Sequence, residues 1–323
     1  MLKRIGLALA LLALASVPAA AAASPGALAL VPDDATTVGY VRVADLRSNP
    51  FQLRIFEETD KMTSDGDAAR FLAEAGLDLR NDVDSVVACT SAAAGARGRT
   101  LVFFEGRYDP ERIGAALVKR GAVPASSAGG DYYRLKEGNA DREPGALAFL
   151  GTDLVAAGNE SAVAAALARR ASGAAGFSSG TGLGREFHRI DPASTAWVLL
   201  DVQKSHAYRE SGGGSGNASG VLAALKSVSF AAMQATVESD ALTVKAIGLS
   251  DDEETRELLE DSLRGLTAAW RMAAQEKNPE LVSAIRKFKV TRDGEGVTIA
   301  GTLPGDLIRS MTAEARTHRQ SAN

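Results

Sequence analysis

A strand–turn–strand–helix pattern is the feature of this sequence that most restricts its fold. It is clearest near the C-terminus, where Asp293-Gly294 separates two runs of alternating apolar residues. Alternation with a period of two is typical of a half-buried strand, and Asp-Gly is a preferred hairpin turn. Pro304 then opens a segment whose apolar residues recur at helical spacing as far as Ala315. The pattern predicts a ββα unit over Phe288–Ala315.

Three earlier segments have the same pattern and predict further ββα units at 85–121, 146–170 and 228–270. Each half of the chain also begins with an extended run, at 36–43 and at 196–202. Hairpins that alternate with helices cannot form an all-parallel sheet. We therefore predict the α+β class, with two similar lobes built from repeated ββα units, and antiparallel sheets with helices packed on one face.

The N-terminus has the order of residues found in secretory signal peptides. Lys3-Arg4 precedes the apolar run Ile5–Ala15, and Ala19–Ala23 supplies small residues for cleavage. The run is short for a membrane span, and an uncleaved anchor is the alternative. We expect a signal peptide at 1–23, and a mature protein that is periplasmic or extracellular and meets the membrane only if the leader is retained.

Glycine- and serine-rich residues suggest where the mature chain divides. We predict a first α+β lobe at 24–175, a Gly/Ser-rich junction at 176–184, a second α+β lobe at 185–316 and a polar tail at 317–323.

Three local expectations concern single elements. The residues of Pro124–Gly130 predict a loop. Ser250-Asp251-Asp252-Glu253 predicts a helix that begins with a capping box. The helix that follows is expected to bury one apolar face, formed by Leu258, Leu259, Leu263, Leu266 and Trp270.

Charge and cysteine content exclude several classes of protein. The formal charge is −4, and removal of Lys3 and Arg4 with the leader leaves 34 basic and 40 acidic residues, or −6. A mildly acidic chain is poorly suited to neutralising phosphates, so no nucleic-acid partner is expected. Cys89 is the single cysteine and lies in an apolar run, so we predict a buried thiol and no internal disulfide.

One motif matches an enzyme class. Gly176-Phe177-Ser178-Ser179-Gly180 fits the G-x-S-x-G pattern of serine hydrolases. That pattern requires a sharp turn between a strand and a helix, whereas here an alanine-rich helix precedes the serine. The acids and histidines that could complete a triad are scattered along the chain: Asp191, Asp201, His206 and His318. A flexible junction is the preferred interpretation, and catalysis by Ser178 is the alternative.

Patterns for phosphate and metal binding are incomplete. Gly180-Thr181-Gly182-Leu183-Gly184 resembles a phosphate cradle but does not follow a strand, so a helix N-terminal loop is preferred. His206 and Glu210 supply only two ligands, and His188 is expected to be solvated or capping. We therefore predict no cofactor, and no catalytic, cofactor-binding or metal-binding residue.

Two acidic clusters and one basic cluster have structural explanations. Asp78, Asp82 and Asp84 lack the central glycine and terminal glutamate of a calcium loop. The acids at 251–254 suit the first turn of a helix. Arg286-Lys287 with Lys289 flank the start of a strand and are typical of a solvated sheet edge.

Three stretches resemble a family of proteins. They are Val31-Pro32-Asp33-Asp34-Ala35-Thr36-Thr37-Val38, Ala75-Gly76-Leu77-Asp78 before Asp82-Val83-Asp84-Ser85, and Gly106-Arg107-Tyr108-Asp109. They are similar to stretches of uncharacterised exported bacterial proteins classed as a domain of unknown function. The resemblance covers most of the mature chain. It implies an exported two-part protein and no active site.

Taken together, these features predict an exported, non-enzymatic protein that binds an envelope partner or an apolar small molecule. A serine hydrolase using Ser178 is one alternative. The other is a structural module that assembles through sheet edges.

Overall fold

Twelve strands form one antiparallel sheet in the part of the chain that the structure, a computed structural model, describes. That part comprises residues 25–47, 66–91, 98–136, 143–174, 176–177, 180, 182–205, 228–238, 240–275, 278–308 and 310. The strands are β1 Ala35–Val41, β2 Val83–Ser91, β3 Arg99–Gly106, β4 Val123–Ser127, β5 Gly130–Arg134, β6 Gly145–Phe149, β7 Leu154–Asn159, β8 Ala196–Asp201, β9 Phe230–Glu238, β10 Ala241–Leu249, β11 Lys289–Arg292 and β12 Gly296–Pro304.

The strand order is β11-β12-β10-β9-β8-β1-β2-β3-β7-β6-β5-β4. β1 and β8 pair at the centre, with Gly39 opposite Val198, so the strands of the two halves of the chain join edge to edge. The α+β class and the antiparallel pairing are confirmed, including the hairpin of β9 and β10. Because the strands lie in one sheet, the division into two similar lobes stays a prediction.

α-Helices and one long 3₁₀ helix accompany the sheet, and nine of these elements have defined bounds. They are α1 Pro25–Ala29, α2 Val43–Leu46, α3 Gly66–Ala75, α4 Leu79–Asp82, α5 Pro110–Lys119, α6 Glu160–Ser172, the 3₁₀ helix Gly182–Arg189, α7 Glu253–Ala274 and α8 Pro279–Ile285. The signal peptide expected at 1–23 and the tail expected at 317–323 lie outside the described residues.

The helices pack on both faces of the sheet, and the prediction that they share one face is wrong. On one face, Val87 and Phe103 join a core with Val163 of α6; we call this the α6 face. On the other, which we call the α7 face, Val86 packs with Leu46 of α2. Apolar residues occupy consecutive positions in the central strands, so both faces of these strands need cover.

α7 also packs on the α7 face, where Leu259 contacts Val297 of β12. α5 lies on that face as well, because its core includes Leu147, whose neighbour Ala148 belongs to the α6-face core. Successive residues of a strand point to opposite faces, which makes this assignment direct.

Two element boundaries differ from the predictions. Residues 123–127 form strand β4 rather than a loop, because Pro124 stands at the edge of the sheet, where a missing N–H leaves no partner unsatisfied. Pro304 ends β12 instead of opening a helix, and residues 305–308 are helical. Met311 and Ala315 of the expected helix lie outside the described residues.

The start of α7 is also shifted from its predicted position. The cap is Asp252, whose carboxylate accepts from the backbone N–H of Thr255 at 2.7 Å. Ser250 remains in extended structure because its N–H donates to the carbonyl oxygen of Glu295 at 3.1 Å. The capping box predicted from Ser250 is therefore wrong. The start of α5 is confirmed, since the side chain of Asp109 accepts from the N–H of Arg112 at 3.0 Å.

Candidate functional site

The α6 face of strands β10, β12 and β11 is polar and open to solvent. Lys245 on β10 lies opposite Ala300 on β12, and Ala300 lies opposite Lys289 on β11. Hydroxyl side chains occupy the neighbouring positions on the same face: Thr243, Thr291, Thr298 and Thr302. All of these residues are exposed or half-buried. The intervening residues of β10, such as Val244 and Ala246, are apolar and point to the α7 face.

A cleft of about 290 Å³ lies between this polar surface and the 3₁₀ helix. The sheet forms its floor and the end of the 3₁₀ helix forms one wall. Its lining residues are His188, Arg189, Lys245, Ile247, Leu249, Asp293, Gly296 and Thr298. Five of these eight residues are polar or charged, and Ile247 and Leu249 add apolar surface.

Aromatic packing holds the 3₁₀ helix above the centre of the sheet. The ring of Phe187 meets Trp197 of β8 edge-on at 5.3 Å and Phe177 at 5.4 Å. Trp197 in turn stacks on Tyr40 of β1 at 5.6 Å. Such aromatic pairs contribute about 0.5–1.5 kcal/mol each beyond their burial. The cleft wall is thus anchored to the two central strands, one from each half of the chain.

The glycines of the phosphate-like motif serve packing. Gly182 begins the 3₁₀ helix, which confirms the helix N-terminal loop predicted there. A Cβ on Gly184 would collide with the carbonyl oxygen of Phe177. Glycine is needed at this position because the two backbones approach closely.

Two of the charged groups in the cleft already have partners. Arg189 donates to Glu186 at 2.6 Å and pairs with Glu295 at 2.8 Å. The hydrogen bond that Arg189 donates to Glu186 raises the pKa of Arg189, burial opposes this rise, and the bond to the Glu295 carboxylate adds to it. The carboxylate of Asp293 accepts from the N–H groups of Glu295 and Gly296 at 2.9 and 2.8 Å, which lowers the pKa of Asp293.

These bonds also explain the turn between β11 and β12. The sequence predicts a tight hairpin turn at Asp293-Gly294, and a hairpin forms there. Asp293 closes it through its carboxylate and through its N–H, which donates to the carbonyl oxygen of Gly296 at 3.0 Å. A rigid turn therefore shapes this end of the cleft.

The two lysines remain available to a ligand. Within the described residues, neither Lys245 nor Lys289 makes an ion pair or a side-chain hydrogen bond. Neighbouring strands lie about 4.8 Å apart, so the two Cα atoms are roughly 10 Å apart across Ala300. The small side chain between them leaves room for both ammonium groups to approach one ligand atom or group.

The candidate catalytic and metal-binding residues that lie in the described part of the chain have structural roles. The Asp191 carboxylate accepts from the N–H of Ala193 at 2.8 Å, and Asp201 pairs with Lys204 at 2.9 Å. His188 is exposed, and its Nδ1 lies 2.7 Å from the carbonyl oxygen of Arg185, as expected for a capping histidine. Four further candidates lie outside the described residues: Ser178, His206, Glu210 and His318.

The acidic cluster near residue 80 is also structural. Asp78 caps α4 by accepting from the N–H of Arg80 at 2.9 Å, and Asp82 accepts from the N–H of Asp78 at 2.8 Å. Asp84 pairs with Arg47 at 2.8 Å. Among the described residues, no group of three or more His, Cys, Asp or Glu side chains could hold a metal ion.

Cys89 is buried in the α6-face core, as predicted. Burial raises the pKa of its thiol to about 12. The nucleophilic form of cysteine is the thiolate, so this side chain is chemically inert at neutral pH.

Comparisons with known proteins indicate no family. No protein-family model matches the chain, and no curated protein matches it. Crystal form IV of TP0453 is similar in structure, with a TM-score of 0.48 and 13% identity over 88% of this chain and 95% of that one. Crystal form III gives a TM-score of 0.47 with 11% identity over 89% of this chain and 97% of that one. At these values no property of TP0453 is carried over to this chain.

None of the helices in the described residues is both long enough and apolar enough to cross a bilayer.

Proposed function

We propose that this protein is exported and acts by binding, with the cleft, its lysine Lys245 and the neighbouring Lys289 on the same face of the sheet as the site for an anionic group on a component of the cell envelope. The arrangement of Lys245 and Lys289 carries the proposal, because their side chains share one open surface. Export rests on the order of residues in 1–23.

Charge favours an anionic ligand. Arg189 and Asp293 are already satisfied by neighbouring groups, so the ammonium groups of the lysines are the charges that a ligand would meet. Threonine hydroxyls beside them can donate hydrogen bonds to the same ligand. A phosphate or carboxylate group accepts from both kinds of donor. An apolar small molecule, the other ligand expected from the sequence, suits this lining less well.

The sheet gives the site a fixed geometry. Lys245 and Ala300 belong to strands that pair along nine residue positions, and β11 extends the same sheet. Sites built on strands are held more precisely than sites on loops. A hydrogen bond to a charged group contributes about 1.5–3 kcal/mol, so loss of one lysine should weaken binding by roughly tenfold or more.

The test is mass spectrometry of the material that co-purifies with the mature protein from the cell envelope. We expect a phosphate- or carboxylate-bearing species in stoichiometric amount. It should be lost from a Lys245→Glu/Lys289→Glu variant and retained by Lys119→Glu, a control at an exposed lysine of α5. A protein free of any co-purifying species, or equal retention by the double variant, would refute the proposal.

The serine-hydrolase alternative stays a prediction, since Ser178 lies outside the described residues. It predicts an esterase or peptidase activity that Ser178→Ala abolishes and that Lys245→Glu/Lys289→Glu leaves intact. The same two variants therefore separate the two functions.

A further inference from the structure

Ala300 of β12 lies at the centre of four polar side chains on the α6 face of the sheet. Lys245 of β10 and Lys289 of β11 are its partners on the two neighbouring strands. Thr298 and Thr302 lie two residues before and after it on β12, so they point to the same face. The Cα atoms of the lysines are about 4.8 Å from that of Ala300, and those of the threonines are about 6.7 Å from it. We call these five residues the Ala300 cluster.

The donors of the Ala300 cluster are accessible. Lys245 and Thr298 are half-buried, and Lys289 and Thr302 are exposed. Within the described part of the chain, the hydroxyl of Thr298 makes no hydrogen bond. The hydroxyl of Thr302 lies 3.1 Å from that of Thr243. A hydroxyl can accept one hydrogen bond and still donate its own hydrogen, so Thr302 can bind Thr243 and a ligand at once.

The number and directions of these donors distinguish between two kinds of anion. A carboxylate has one charge and two oxygens in a plane. A phosphomonoester has three acceptor oxygens and, above its second pKa of about 6, close to two charges. Because the donors surround Ala300 from four directions, a tetrahedral group above its methyl group can accept from more of them than a planar group can. Its two charges also match the two ammonium groups.

The same face of β10 offers a contact for an organic group attached to the phosphate. Ile247 and Leu249 follow Lys245 at steps of two residues, and all three line the cleft. Ile247 is also the partner of Thr298 on β12. A ligand held above Ala300 can therefore lay an apolar part along these two side chains toward the 3₁₀ helix.

We propose that the Ala300 cluster binds a phosphomonoester group carried by a larger organic molecule. This rests on the proposed function, because it concerns the same two lysines. It narrows the anionic group to phosphate and adds Thr298 and Thr302 as binding residues. A phosphodiester has the same tetrahedral shape but a single charge, so it binds more weakly.

Titrations of the mature protein with four probes at about pH 8 test the chemistry of the ligand. The probes are phenyl phosphate, methyl phenyl phosphate, benzoate and inorganic phosphate, and the backbone amide resonance of Ala300 reports binding. Phenyl phosphate should bind roughly tenfold more tightly than benzoate, because it offers one more oxygen and one more charge. It should also bind more tightly than methyl phenyl phosphate, which has one charge, and than inorganic phosphate, which lacks the ring.

Two isosteric substitutions test the threonines. Thr298→Val and Thr302→Val should each weaken the binding of phenyl phosphate by roughly threefold to tenfold, because each removes one hydroxyl donor and keeps the branched shape. The control is Thr267→Val on α7, whose hydroxyl donates to the carbonyl oxygen of Arg264 at 2.8 Å. That variant should bind phenyl phosphate as the wild type does.

The outcomes separate this inference from the proposed function. Lys245→Glu/Lys289→Glu should abolish the binding of all four probes. Equal affinities for phenyl phosphate and benzoate, both lost in the double variant, would overturn the assignment to phosphate and leave the proposed function standing. Equal affinities for phenyl phosphate and inorganic phosphate would overturn the assignment to a larger molecule. A wild type that binds none of the probes would overturn the inference and contradict the proposed function as well.

Discussion

The buried ion pair of Arg42 and Asp45 gives the sharpest test of how the two halves of the chain are joined. The Arg42 side chain is 4% exposed and that of Asp45 is 10% exposed, and their charged atoms are 2.9 Å apart. Arg42 also donates to the hydroxyl of Tyr40 and to the carbonyl oxygen of Pro192, both at 3.4 Å. The guanidinium therefore connects β1 and α2 to the segment that leads into β8.

Removal of one partner of this ion pair should lower the free energy of unfolding far more than removal of both. Asp45→Leu leaves a buried guanidinium without a counter-ion, which costs about 3–5 kcal/mol, a large part of the 5–15 kcal/mol that stabilises a typical domain. Arg42→Met leaves a buried carboxylate and should cost a similar amount at neutral pH. The double variant replaces both charges by apolar groups, so we expect it within about 2 kcal/mol of the wild type.

The single variants should also differ in their dependence on pH. Burial raises the pKa of Asp45, and Arg42 opposes that shift. Without Arg42 the opposing influence is gone, so the pKa of Asp45 rises further. A carboxyl group whose pKa is raised in the folded state binds its proton more tightly there, and its burial costs less as the pH falls. Arg42→Met should therefore lose less stability at about pH 5 than at about pH 8.

The measurement is urea unfolding of the four proteins, followed by far-ultraviolet circular dichroism. Residues in one buried network give coupling energies of roughly 0.5–3 kcal/mol in a double-mutant cycle, and this pair should lie at the upper end. If the effects of the two substitutions simply added, the pair would not act as a unit. The description of Arg42 as a buried connection would then be wrong.

Two further predictions use single sites in the core. At about pH 8, Cys89 should react with a thiol reagent roughly a thousandfold more slowly in the folded protein than in the unfolded protein. The reason is that burial raises the pKa of the thiol from 9.0 to about 12, which depletes the reactive thiolate. Rapid labelling without denaturant would contradict the burial of Cys89. Gly158→Ala should destabilise the protein by about 1–3 kcal/mol in urea unfolding, because the added Cβ collides with the carbonyl oxygen of Thr100 on the paired strand. Gly66→Ala, where an added Cβ would meet no atom within 4 Å, is the control and should be neutral or slightly stabilising.

Local patterns were sufficient to predict most of the strands and hairpins. The alternation in 228–249 predicted β9 and β10, and Asp109-Pro110 predicted the start of α5. Both depend on residues close together in the chain, so the sequence carries them directly. The pairing of β1 with β8 joins residues about 160 positions apart, and alternation does not specify which strand will be a neighbour.

The predicted apolar face of α7 is wrong at Leu258 and at Trp270. Leu259 is buried and Leu263 packs against the same core, but Leu258 is 52% exposed and Trp270 is 49% exposed. α7 packs on β12 and β11, and β11 is the last strand of the sheet. Leu259 and Leu263 lie in the N-terminal half of this helix, whereas Trp270 lies four residues before its end and outside that core. Helical spacing predicts which side of the helix a residue occupies, and only the tertiary packing decides whether that side is covered.

The candidate site could not be predicted from sequence patterns, because it depends on which strands become neighbours in the sheet. Thr243 and Lys245 alternate with apolar residues, which indicates that they share one face of a strand. The juxtaposition of Lys245 and Lys289 needs the registers of two strand pairs. The cleft wall further needs the contact of Phe187 with Trp197. No motif of fixed spacing encodes such a site.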